Sequence, residues 1–204
     1  MSGNSALTFI IPTIGRETLS LTLQSLKNQT ITNWKAIVIF DGIEPTISET
    51  DPRITIIKTP IKLGQGYNSA GLVRNYGIKF VNTEWVAFVD DDDSITPNYM
   101  ESFLSELWLD PDVIIFRMTL DDRVCPSIDS TNFFIKDVGI SFAVKTELVS
   151  KFIFIPSIEE DFEFLDKVRL KKYKIVLSPY ITYSVNKYNS INNPLMGKRG
   201  FVNY

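Results

Sequence analysis

Histidine is absent from all 204 residues. That removes histidine-based triads, most zinc sites and the usual general base. Cysteine occurs once, as Cys125, so an internal disulfide framework is excluded and nothing marks a stapled secreted fold. No apolar run approaches the roughly 20 residues of a membrane-spanning helix. The opening MSGNSALTFIIP has no basic segment ahead of its apolar residues and does not read as a secretory signal. Positive charge is in deficit as well: 21 Lys and Arg against 24 Asp and Glu, a net charge of −3. Non-specific nucleic-acid binding needs a basic face, so no nucleic-acid partner is expected. A soluble cytoplasmic protein without a membrane span is the expected setting.

Core-forming residues are plentiful. The chain is 44% hydrophobic and 12% aromatic, which suits a packed domain and not a disordered one. There is no internal repeat and no Pro/Ser-rich linker, so a single domain over 1–204 is expected. Short apolar runs at Leu7–Ile11, Trp34–Phe40, Arg53–Lys58, Trp85–Val89 and Val113–Met118 read as strands. Leucine spacing over Thr18–Gln29 reads as a helix. Further helices are expected over Tyr67–Val81 and over Pro97–Leu109, the last with Thr96 as N-cap and Pro97 in its first turn. Alternating strand and helix through residue 118 predicts an α/β fold with a mainly parallel sheet. Beyond it, strands are expected at Phe133–Ile140, Ser141–Val144 and Lys174–Leu177, and a helix at Glu159–Lys172. The expected division is a first half over 1–118, a less regular second half over 119–185 and a polar tail or linker over 186–204. Lys198 and Arg199 in that tail suit a frayed end.

The stretch WVAFVDDDDSIT puts four carboxylates, Asp90 to Asp93, directly behind a buried-looking strand. Ligands of open α/β sheets bind beyond the carboxyl ends of the strands. Pro12-Thr13 and Asp41 lie at two other strand ends, so three ends converge on one rim. Neighbouring carboxylates disfavour each other's ionised form unless they share a cation. Oxygen ligands without histidine or cysteine suit Mg²⁺ or Mn²⁺, which implies a phosphate or diphosphate substrate. Two plainer readings stand beside this one. An acidic run is often only a solvated loop. A calcium loop is a poor fit, because Ile95 occupies the glycine position and Pro97 interrupts it.

The segments FIIPTIGRETLSLTLQSLKNQT, WKAIVIFDG, GLVRNYGIKFVNTEWVAFVDDDD and EEDFEFLDKVRLKKYKIVLSP follow one another in order. Together, over residues 7–180, they resemble the family 2-like glycosyltransferases of the GT-A fold. Small size and the missing anchor also resemble glycosyltransferase domains of large DNA viruses such as chloroviruses, which would place the protein in a host cytoplasm. The resemblance implies a metal-dependent transfer of a sugar from a nucleotide diphosphate, a UDP-sugar, to a hydroxyl of a glycan acceptor, with inversion favoured over retention. It implies that Thr13 lies beside the base, that Asp41 accepts a hydrogen bond from uracil and that Arg74 lies near the base or diphosphate. Pro12, Arg16 and Asp91 complete the implied donor-binding set. Asp90 faces the ribose or sugar and shares the metal with Asp92, with Asp93 as ligand or support. Asp161, with Glu160 as the alternate, is the implied general base; 1–118 is then the nucleotide-binding half, 119–185 the acceptor-side half, and Lys198 and Arg199 suit a mobile loop that clamps the diphosphate. The plainer reading of Glu159 to Asp161 is first-turn acids favoured by a helix dipole.

Several departures shape the expectation. Phe40 stands where many relatives carry a first acid at the second strand end. The Gln-x-x-Arg-Trp signature of processive synthases is missing, so a polymerising enzyme is not expected. No C-terminal histidine can serve as an extra metal ligand. Without histidine, a single carboxylate base and a metal-stabilised leaving group still suffice for the transfer. The alternatives are a non-catalytic sugar-nucleotide-binding domain, a retaining enzyme, or more distantly a phosphoacceptor or nucleotidyltransferase domain. Additional domains C-terminal to this chain fit the same reading.

Overall fold

The structure is a computed structural model that describes residues 6–64 and 70–186. The tail beyond Asn186, with Lys198 and Arg199, and the opening residues of the helix expected from Tyr67 lie outside the described residues.

Strand β1 (Leu7–Thr13) is buried at every position. A strand covered on both faces has no polar alternation, which is why LTFII reads as an unbroken apolar run. It pairs in parallel with β2 (Trp34–Phe40) and with β4 (Trp85–Phe88). β3 (Ile54–Lys58) pairs in parallel with β2. Pro12 has no N–H to give, but the β4 pairing stops at Ile10–Phe88, so the proline sits past the ladder it would break. Helices α1 (Leu19–Lys27) and α2 (Ala70–Ile78) connect these strands, and α2 packs against β1 and β2. β5 (Ser94–Ile95) and α3 (Tyr99–Glu106) follow the acidic run.

The second half builds onto the same sheet. β6 (Val113–Leu120) forms a hairpin with β7 (Arg123–Cys125). β8 (Phe142–Lys145) runs antiparallel between β4 and β6. After α4 (Thr146–Lys151) and α5 (Glu160–Leu170), the long β9 (Ile175–Val185) lies parallel to β6 and antiparallel to β5. The order is β3-β2-β1-β4-β8-β6-β9-β5. The expected α/β architecture therefore holds. Its sheet is parallel through the first four strands in that order and mixed beyond β4. Phe154 and Phe164 stack at 4.8 Å, and Phe164 stacks with Phe142 of β8 at 5.5 Å, tying the α5 layer to the sheet.

Three expectations change. Residues 133–140 form a turn-bearing loop and not a strand. Lys136 adopts φ 69°, a left-handed conformation that breaks strand alternation. Phe133, Val138 and Ile140 are buried all the same, so their apolar spacing reports packing and not pairing. The last strand runs to Val185, eight residues past Leu177. Thr96 does not cap α3: Asn98 holds the N-cap position, the Thr96 hydroxyl is turned to Asn98 Oδ1 at 2.6 Å, and the Thr96 N–H continues the pairing of β5 with β9 by donating to the Thr182 carbonyl at 2.9 Å. The helix starts at Tyr99.

Two local features produce measurable consequences. Gly42 follows β2 at φ +71°, and a Cβ there would lie 2.6 Å from the Lys62 nitrogen. Gly42→Ala is expected to destabilise the fold by about 2 kcal/mol or more, read as a lower urea midpoint. Asp51 accepts from Nε and Nη2 of Arg53 at 3.0 and 2.6 Å, and the guanidinium lies 3.9 Å from the Trp34 ring centre. These bonds lower the Asp51 carboxyl to about 2. A depressed carboxyl stabilises the fold above its unfolded pKa of about 3.9 and loses that contribution as pH falls toward the folded value. The gap in urea midpoint between wild type and Asp51→Asn is therefore expected to be full at about pH 6 and to shrink below about pH 4.

Candidate functional site

The ends of β1, β2 and β4 meet at one rim, and the acidic run crosses it just after β4. Val89 still donates to the Ile10 carbonyl at 3.1 Å, so extended geometry persists up to Asp90. Beyond that the four aspartates separate into different environments.

Asp91 turns inward and is buried. Its carboxylate accepts from the Thr13 hydroxyl at 2.6 Å and from Arg16 Nη1 at 2.8 Å. Burial raises its pKa despite the opposing pull of Arg16 and Thr13. The same Arg16 nitrogen lies 3.0 Å from Asp92 Oδ2. Thr13, Arg16 and Asp91 thus form one cluster that fastens the turn after β1 to the acidic loop.

Asp90, Asp92 and Asp93 make the second cluster. Each offers a carboxylate oxygen, and these oxygens lie within 4.8 Å of one another. Asp90 and Asp92 are partly exposed and Asp93 is buried. The buried Tyr183 hydroxyl donates to Asp93 Oδ2 at 2.8 Å and accepts from the Asp90 N–H at 3.2 Å. Asn186 donates its backbone N–H to Asp93 Oδ1 at 3.1 Å and its side-chain amide to the Asp92 carbonyl at 3.0 Å. The Thr22 hydroxyl donates to the Asp93 carbonyl at 2.7 Å. Burial, and then the charges of Asp90 and Asp92, push the Asp93 carboxyl well above its ordinary range. Three hard oxygen donors that repel one another fit a divalent cation such as Mg²⁺ or Mn²⁺. Asp90 and Asp92 face the open side of that arrangement, whereas both oxygens of Asp93 already accept protein hydrogen bonds.

Arg74 joins this loop to α5. Its guanidinium is 2% exposed. Nη2 donates to Asp90 and Nη1 to Glu160, and Asp161 lies 3.7 Å from Nη1. Burial opposes the charge, but Asp90, Asp161 and Glu160 outweigh it and raise the pKa of the guanidinium. Glu160 is buried, and its other oxygen accepts from the Gly71 N–H at 3.1 Å. Burial, more than any charge, raises its pKa. The Asp161 side chain is 25% exposed, so of the two it is the carboxylate nearer solvent.

Asp41 is buried at the end of β2 and serves a loop. It accepts from the N–H groups of Leu63 and Gly64 at 2.7 and 2.8 Å. Thr59 braces the same turn, donating to the Ile61 carbonyl at 2.8 Å and accepting from the Gly42 N–H at 2.7 Å. Pro12 is buried within β1. The rim therefore brings Thr13, Arg16 and the acidic run together, and Arg74 carries the connection on to Glu160 and Asp161. Asp41 joins the rim through its N–H, which donates to the Thr13 carbonyl at 2.9 Å, while its carboxylate holds the loop at 63–64. Sequence reasoning missed Tyr183, Asn186, Thr22 and Gly71. Tyr183 and Asn186 went unseen because the last strand was ended too early, and Thr22 and Gly71 look like ordinary helix residues.

The family model described as "Glycosyl transferase family 2" matches residues 8–128, more than half of the chain. EpsH of Bacillus subtilis, which carries a glycosyltransferase name, is 34% identical over 118 residues, 54% of this chain and 33% of EpsH. The colanic acid biosynthesis glycosyl transferase WcaA of Escherichia coli is 31% identical over 113 residues, 52% of this chain and 39% of WcaA. The chain thus spans little more than a third of the length of these relatives. Among solved structures, S. aureus TarS 1-349 in complex with UDP-GlcNAc aligns with a TM-score of 0.68 at 19% identity, covering 90% of this chain and 59% of that one. The mannosyltransferase PcManGT from Pyrobaculum calidifontis, in complex with GDP-Man and Mn2+, aligns at 0.64 and 14% identity, covering 92% and 59%. At these identities the likeness is one of fold, and that fold is GT-A. The ordered strand ends, the acidic run after β4 and the match over residues 8–128 lead to one conclusion: the chain belongs to glycosyl transferase family 2.

Proposed function

We infer that the protein transfers a sugar from a nucleoside diphosphate, UDP, to a hydroxyl of a glycan acceptor with inversion at the anomeric carbon. The observation that carries this reading is the separation within the acidic run. Asp90, Asp92 and Asp93 gather their oxygens within 4.8 Å, while Asp91 is drawn away by Thr13 and Arg16. Family membership and the nucleotide-sugar complexes of TarS and PcManGT support a donor of this class.

Asp92 and Asp90 would hold Mn²⁺ or Mg²⁺, with Asp93 completing or bracing the set. When bound, such a cation supplies charge stabilisation to a departing diphosphate. Arg16, beside Asp91 and Asp92, adds fixed positive charge at the same rim. Thr13 and Pro12 line the base side of that rim, and Asp41 shapes it by fixing the loop at 63–64.

The general base is Asp161. A base must reach solvent and acceptor. Glu160 is buried with both oxygens occupied by Arg74 and Gly71, so it braces its neighbour. Asp161, partly exposed one residue on, takes the proton from the acceptor hydroxyl as the glycosidic bond to the diphosphate breaks. Arg74 lies 3.7 Å from that carboxylate and presents it with an opposite charge.

Two outcomes test this reading. UDP at about 100 times its Kd is expected to add roughly 2.7 kcal/mol of stability, seen as a raised melting temperature. The rise should need Mn²⁺ or Mg²⁺ and should vanish in Asp92→Ala; a shift that ignores metal would sink the metal-diphosphate assignment. With a panel of UDP- and GDP-sugars as donors, Asp161→Asn is expected to lower transfer by roughly 10²- to 10⁴-fold, and Glu160→Gln by less. Wild-type transfer by Asp161→Asn would remove it as the base.

A further inference from the structure

One face of α2 carries three contacts to the segment that leads into α5. Gly71, Arg74 and Asn75 stand at i, i+3 and i+4, the spacing that brings side chains onto one side of a helix. Asn75 makes two bonds to a single residue. Its amide donates to the Phe154 carbonyl at 2.8 Å and its oxygen accepts from the Phe154 N–H at 3.0 Å. The side chain thereby pairs with an extended backbone as a neighbouring strand would. Gly71 gives its N–H to Glu160. A Cβ at Gly71 would lie 2.3 Å from Glu160 Oε2 and 2.8 Å from Phe154 Cβ, so the close approach depends on the glycine. Arg74 reaches Glu160 from the same face and extends to Asp90 on its other side. The Phe154 ring, 5.7 Å from the guanidinium carbon, closes the contact from below.

We propose that Gly71, Arg74 and Asn75 form a positioning face on α2 that fixes residues 154–161 and so sets where the Asp161 carboxylate stands relative to the acidic loop. The inference rests on Asp161 as the base. Among the described residues, the hydrogen bonds of the Asn75 side chain go to the Phe154 backbone and to neither carboxylate cluster. Glu160, fastened at both oxygens, then leaves its successor one defined direction. Arg74 alone could not do this, because a single guanidinium between Asp90 and Glu160 would still let the segment pivot about its one attachment. The Asn75 pair, six residues upstream of Glu160, supplies the second fixed point. Misplacement of a reacting group by about 1 Å costs up to roughly 100-fold in rate, so loosening either point should be visible in turnover.

The test uses Asn75→Ala, with Gly71→Ala as a second variant should the first fold poorly. Amide exchange is expected to accelerate at 154–163 and to stay at wild-type level in β1, β2 and β4. UDP with Mn²⁺ should still shift the melt, while turnover of the UDP-sugar falls by roughly 10- to 100-fold with KM for the donor unchanged. In an Asp161→Asn background the same substitution should cause no further loss, because it acts through that carboxylate. Unchanged exchange at 154–163, acceleration throughout the sheet, or an equal loss in both backgrounds would each overturn the positioning role. Wild-type turnover by Asp161→Asn alone would instead remove the base assignment, a distinct result because local exchange would still report the fastening.

Discussion

A buried guanidinium among three carboxylates holds the site together. Arg74 is nearly inaccessible to water and faces Asp90 on one side and Glu160 with Asp161 on the other. Taking an arginine out of water is costly, and that cost is offset only when its donors meet ionised partners in good geometry. The partners come from two places far apart in sequence: the loop after β4 and the first turn of α5. Their approach is thus a condition for burying Arg74 at all. Elements that do not touch the arginine still depend on it, since β4 must end where Asp90 meets Nη2 and α5 must begin where Glu160 meets Nη1.

The four consecutive aspartates show how one composition splits into several roles. Equal in sequence, they differ in what the fold offers each. Thr13 and Arg16 claim Asp91, Tyr183 and Asn186 claim Asp93, and Arg74 claims one oxygen of Asp90. Repulsion among the remaining oxygens is relieved only in part by these partners. Any fit of such a rim to a cation would come from where its oxygens are placed and not from the mere number of acids.

Much of this was legible beforehand, and the reasons are physical. Buried parallel strands announce themselves as unbroken apolar runs, so β1, β2 and β4 were readable, and with them the strand ends that make the rim. The split between Asp91 and its neighbours was not readable in this way, because the strand ends at Phe88 and Asp91 and Asp92 lie in a turn, where Thr13 and Arg16 draw Asp91 in. Partnerships made by tertiary contact were not legible. Tyr183 sits in a stretch that looks like any amphipathic strand, and Asn75 beside Arg74 carries no mark of a backbone pairing. The resemblance names Asp161 ahead of Glu160; that Glu160 is the one buried against α2 depends on which side of α5 meets that helix, and periodicity alone does not tell that. The stretch at 133–140 misled because aromatic and β-branched residues serve a packed loop as well as they serve a strand.

The reversed strand β8 has a consequence for how the molecule is assembled. It lies between β4 and β6, so β4 has no neighbour on that side until residues 142–145 exist. A nascent chain ending near residue 118 would display the backbone edge of a strand whose side chains are meant for the interior, an invitation to pair with another chain. The boundary expected near residue 118 is therefore not one between folding units. Pairings that span some 55 to 65 residues close late and slowly, and the acidic loop can take its final shape only after β9 has arrived to supply Tyr183.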